Sequence, residues 1–102
     1  MSVVLEAMML LLPREAGGRS EPVSPRDGSY RPFVRHGERI VRARVFEGPP
    51  RLAPGDGARV MVELEADLDS ASRGADLDLL ERDERLVGVM TILRICRSPL
   101  SV

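Results

Sequence analysis

The chain has 102 residues, which fits one domain with a modest core rather than two. Apolar residues make up 43% and charged residues 30%, a balance that excludes a disordered tail and fits a globular domain. The formal net charge of −1 excludes global attraction to nucleic acid.

Residues 2–12 satisfy two templates. Leu, Met, Ala and Glu favour a helix by propensity. As a strand, Val3, Leu5, Ala7, Met9 and Leu11 share one face, and Val4, Glu6, Met8, Leu10 and Leu12 share the other. The stretch has no positive n-region, contains Glu6 and stops at Pro13, so it is too short to span a bilayer and makes a poor signal peptide. It reads as a core element. Residues 13–32 hold four prolines and three glycines and predict a long loop, with room for a short strand.

Residues 40–46 alternate, with Val41, Ala43 and Val45 against Arg42 and Arg44, and predict a half-buried strand. Residues 47–57 are turn material. Residues 59–65 alternate again, with Val60, Val62 and Leu64 inward, and residues 70–74 form a loop. Residues 76–86 are open between a helix capped by Asp76 and a hairpin turning at Asp83-Glu84. Residues 86–95 are β-branched, largely apolar and interrupted by Gly88, which predicts a strand. The domain is expected to end at residue 96, with 97–102 a short flexible tail. Short strands spaced by turns favour a small barrel or sandwich.

All 15 basic residues are arginine. Residues 26–51 carry seven arginines against Asp27, Glu38 and Glu47, a net of +4, whereas residues 56–84 carry ten acids against Arg59, Arg73 and Arg82, a net of −7. Complementary neighbouring strands would account for this, and so would a bipolar surface for a partner. Arg42 and Arg44 are placed to pair with Glu63 and Glu65 across strands, or to contact phosphate. Cys96 is the single cysteine, so no internal disulfide forms and a cytoplasmic location is expected.

Nothing here builds a catalytic constellation. His36 sits beside Gly37 in what reads as a polar turn, and no cysteine or second histidine stands near it in the sequence. Cys96 lacks a nearby histidine in the pattern and reads as a plain thiol. Asp67, Asp69, Asp76 and Asp78 do not match a calcium-loop pattern and read as solvated charge. No phosphate-binding loop with its lysine is present. The expectation is therefore no enzyme, no cofactor, no metal, no GTP binding and no membrane insertion.

The ordered series "LLPREAGGRSEP", "YRP", "LAPGDGARVMVEL" and "ERDERLVG" resembles the C-terminal domain of elongation factor Tu. In that family a strand runs into Glu-Glu-Gly-Gly-Arg-His-Thr-Pro, then Gly-Tyr-Arg-Pro, Met-Pro-Gly-Asp and Arg-Glu-Gly-Gly-Arg-Thr-Val-Gly. Gly17, Gly18, Arg19, Pro22, Tyr30, Arg31, Pro32, Pro54, Gly55, Asp56, Arg85, Val87 and Gly88 sit at the matching places. The resemblance covers roughly residues 3–95. It implies a six-stranded antiparallel Greek-key barrel, with residues 2–12 its first strand and 76–95 its closing hairpin. It implies that Gly17-Gly18-Arg19 is an inter-strand turn and not a nucleotide cradle.

The resemblance also implies a docking domain that touches tRNA at three places, each altered here. The Arg-His pair is Arg19-Ser20, the segment after Tyr-Arg-Pro is "FVRHGERI", and Asp83 and Glu84 replace two glycines. Those acids would repel a phosphate backbone. The leading expectation is a non-catalytic module that binds a protein or a second copy of itself through Met8, Leu10 and Leu12. The second is an RNA- or tRNA-binding accessory factor linked to translation, using Arg19, Arg35, Arg39, Arg42 and Arg44.

Overall fold

The computed structural model describes residues 3–66, 68 and 73–97. Six strands run in chain order: β1 (Val3–Leu11), β2 (Phe33–His36), β3 (Arg39–Glu47), β4 (Gly57–Leu64), β5 (Asp76–Glu81) and β6 (Arg85–Arg97). Short 3-10 turns occupy Arg14–Ala16 and Arg82–Glu84. The strands close in the order β1-β4-β3-β2-β5-β6, with every neighbouring pair antiparallel. Strands β2, β3 and β4 follow one another, while β1 lies beside β4 after a long connection, which is Greek-key order. Among the described residues no helix is long and apolar enough to cross a membrane.

Both ambiguous segments are strands. Helix propensity in β1 yields to pairing on both sides, with β4 and with β6. The odd set, Val3, Leu5, Ala7, Met9 and Leu11, fills the interior, and the even set faces outward. The hairpin at residues 76–97 turns at Arg82–Glu84, and β6 runs to Arg97, one residue past the boundary expected at 96. Residues 98–102 lie outside the described residues.

His36 is in β2, paired with Arg39, and not in a turn as expected. The turn is the two residues after it. Gly37 has φ +63° and Glu38 has no positive φ, the backbone pattern of a type II′ hairpin with glycine first. Strand β2 escaped the alternation test because only four residues are in it.

The interior is aliphatic. Leu5, Met9, Leu11, Leu64, Leu77, Leu79, Met90 and Ile92 are all fully buried, and no buried polar or charged residue occurs among the described residues. Register shifts at Phe46, between Leu79 and Leu80, and between Glu6 and Ala7 each bend a strand, which a barrel this small needs in order to close. Residues 13–32 do not wander. Val23 and Leu52 exchange backbone hydrogen bonds of 2.9 Å, and Val45 N donates to Tyr30 O at 3.0 Å. The loop is thereby fastened along β3 and the β3–β4 connection.

Candidate functional site

Both glycine N–H groups of the Gly-Gly-Arg turn are already engaged. Ala16 N and Gly18 N donate to Pro13 O at 3.0 Å, and Gly17 N donates to Arg14 O at 3.2 Å. Its carbonyls point at a cation instead: Arg85 Nη2 donates to Gly17 O at 3.2 Å and to Gly18 O at 2.9 Å. An anion cradle needs free N–H groups, and this loop presents oxygens. Gly17 takes φ +89°, and a Cβ on Gly18 would stand 2.1 Å from Leu12 O, so each glycine has its own reason to be there.

Arg19 leaves that turn toward β5. Its guanidinium pairs with Glu81 through Nη1 and Oε2, and it lies 5.6 Å from the centre of the Tyr30 ring. The Tyr30 hydroxyl donates to the same Glu81 oxygen at 2.6 Å. Burial holds the Tyr30 phenol well above its usual range, the bond to the Glu81 carboxylate adds to this, and Arg19 opposes it. This triad fixes the loop to the barrel wall.

The other arginines of the expected stripe divide into two groups. Arg35 donates to Asp78 Oδ2 at 2.7 and 3.0 Å, and Arg44 donates to Glu63 Oε1 at 3.0 and 3.3 Å. These pairs link β2 to β5 and β3 to β4, so complementary strands account for much of the uneven charge. Arg42 and Arg39 have no carboxylate partner among the described residues. Glu65 N donates to Arg42 O at 3.0 Å, but neither Glu65 nor Glu63 forms an ion pair with the Arg42 side chain. Its guanidinium lies over the Phe33 ring instead, 4.9 Å from the centre, directly across the strand pair. A depression of about 400 Å³ is lined there by Arg31, Phe33, Arg42 and Arg82, and its far wall is the Arg19–Tyr30–Glu81 triad. Sequence reading named none of Phe33, Arg31, Arg82 and Glu81 as a candidate site residue, although Arg31 lies in a matched motif and the other three in segments compared with the family's tRNA-facing ones. The one available signal was the Phe33–Arg42 pairing, which needs the β2–β3 register.

On the opposite wall, Met8 is 43% and Leu10 47% exposed. Leu12 is half-buried and not exposed as expected, because its N–H is held by Val87 O at 2.9 Å where the chain leaves the barrel. Leu10 lies beside Val89, and Met8 lies between Arg59 and Thr91. Glu6 is next in the row and accepts from Arg59 at 3.2 Å and Arg94 at 3.3 Å. Residues 13–29 fold toward Leu52, Gly48 and Gly55, so they leave Met8 and Leu10 uncovered.

Cys96 is half-buried near the end of β6. Asp78 is paired with Arg35, and Asp76 accepts from Thr91 Oγ at 2.6 Å. Asp67 and Asp69 lie outside the described residues. No group of three or more His, Cys, Asp or Glu side chains converges on a metal site among the described residues. No family model and no curated protein matches the chain.

Proposed function

We propose that the chain is a non-catalytic docking module, similar in build to the C-terminal barrel of elongation factor Tu, that engages a protein through the outer face of β1. The observation that supports this is the exposure of Met8 and Leu10 in the middle of a fully paired wall. Side chains of that size left bare together mark interaction surfaces in folded domains. Burying each contributes roughly 1.5–3 kcal/mol, enough for two to matter against the cost of association. A second copy and a different protein are both occupants of the right kind. The test replaces Met8 and Leu10 with Ser and compares oligomeric state by light scattering and co-purification from the native host. The expected result is a folded variant that has lost its dimer or its partner. A wild type that is monomeric and brings down nothing overturns the reading.

An RNA-binding role is the second reading, supported by the guanidinium of Arg42 on Phe33 beside Arg31 and Arg82. Against it, Arg19, Arg35 and Arg44 are already neutralised by Glu81, Asp78 and Glu63. Weak tRNA binding that physiological salt abolishes is expected in a filter-binding titration. Tight, aminoacyl-dependent binding would reverse the order of the two readings.

A further inference from the structure

Shallow depressions run together across β2, β3 and β4, and Arg42 lines each of them. One end is the space beside Arg31 and Arg82. The other is lined by Phe33, Arg39, Ile40 and Glu65, where Ile40 is 37% exposed. The groove thus offers several cations without carboxylate partners among the described residues, next to apolar surface. Arg42 is also preorganised. Its guanidinium lies over the Phe33 ring, and no carboxylate among the described residues accepts from it. A guanidinium held over an aromatic ring loses less freedom when it forms a two-pronged bond to a carboxylate.

We propose that this groove seats an extended segment of a partner protein in which carboxylate side chains stand beside an aliphatic one. The inference rests on the reading of the chain as a protein-docking module, and uses a different wall of the barrel. Charge placement selects a peptide over a nucleic acid. Glu65 lies along the same groove as Arg42 with no arginine ion pair among the described residues, while Glu63 and Glu81 already neutralise Arg44 and Arg19. A phosphate backbone is anionic at every step, meets Glu65 along this path and finds Arg19 and Arg44 already neutralised. A peptide carries its charges at chosen positions and can set them against Arg31 and Arg42 while an aliphatic side chain covers Ile40 and Phe33. Mixed lining of this kind rejects the uniform polyanion and accepts the patterned one.

The test is fluorescence anisotropy at physiological salt with a labelled hexapeptide Asp-Ser-Asp-Ser-Leu-Ser, whose Asp and Leu side chains share one face of an extended chain, the same peptide with Asn for Asp, and labelled hexauridylate. The Asp peptide is expected to bind saturably, and the Asn peptide about tenfold more weakly or worse. Arg42→Gln should weaken the Asp peptide by about tenfold, Arg31→Gln should weaken it too, and Met8→Ser should leave it unchanged. Arg42 is exposed, so Arg42→Gln should keep the wild-type circular dichroism spectrum; Arg31→Gln serves if it does not. Absence of saturable binding, equal binding of the Asn peptide, or indifference to both arginine variants overturns the proposal. Tighter binding of hexauridylate through Arg42 also overturns it and gives the groove to nucleic acid. If the peptide fails while Met8 and Leu10 still govern association, the docking reading stands without this groove; if the peptide binds while the wild type neither dimerises nor holds a partner, the β1 face falls instead.

Discussion

Gly88 shows how a single residue can be required by packing and not by backbone angle. It has no positive φ, yet a Cβ there would lie 2.4 Å from Leu10 O and 3.1 Å from Leu79 Cδ2. The backbone of β1 would have to move, since a carbonyl in a paired strand has no rotamer to escape into. Gly88→Ala is expected to cost about 2–3 kcal/mol in urea unfolding; a loss under about 0.5 kcal/mol would mean that β1 and β6 yield easily at this contact. Tyr30 carries a different residue-scale consequence. Its phenol is held protonated in the folded chain, chiefly by burial, while the unfolded chain releases that proton near pH 10. Above that pH the unfolded state therefore binds fewer protons than the folded one, and stability falls as pH rises. Below it the contribution is fully present. Unfolding curves at pH 9 and pH 11 should show this loss in the wild type and a smaller one in Tyr30→Phe. Equal losses would show that Tyr30 is not the group responsible.

At the scale of elements, what the sequence made legible follows the strength of alternation. Strands β3 and β4 could be read from Arg42, Arg44, Val60 and Val62, because one side of each faces water. Strand β1 could not, because its outer face holds Val4, Met8 and Leu10 and the period is invisible when both faces are apolar. Strand β2 is shorter than the window needed to see a period. The Phe33–Arg42 stack was hidden for the same reason, since only the hairpin at Gly37 sets them opposite each other. The β5–β6 connection breaks a local rule in plain view. Glu84 adopts φ +57°, a left-handed conformation that costs a non-glycine residue about 1–2 kcal/mol. Glu84→Gly relieves that strain and gives back about 0.4–1 kcal/mol as unfolded-state entropy. The net expectation is a gain of about 0.5–1 kcal/mol in thermal or urea unfolding. A net loss would mean that the Glu84 side chain makes a contact worth more than the strain.

For the whole molecule, closure is the property that matters most. Each strand pairs with two others, so no edge is left from which the barrel can unzip. One aliphatic interior is shared by all six strands, and Met9 sits within it with no exposed surface. Truncating Met9 to Ala should cost about 2–5 kcal/mol through lost transfer energy and the cavity left behind. That is a large part of the ~5–15 kcal/mol that holds a domain together. The informative question is where the loss is felt. If the barrel opened in parts, Met9→Ala would lower hydrogen-exchange protection in β1 and its neighbours β4 and β6, while β2 and β5 kept theirs. Closure argues otherwise. Separating β1 opens two seams at once and wets the core that β2 and β5 also line, through Val34, Leu77 and Leu79. The slowest-exchanging amides of every strand should therefore accelerate by a similar factor in Met9→Ala. A loss of protection confined to β1, β4 and β6 would show that β2 and β5 form a separately stable half, and that the cooperativity inferred from closure is wrong.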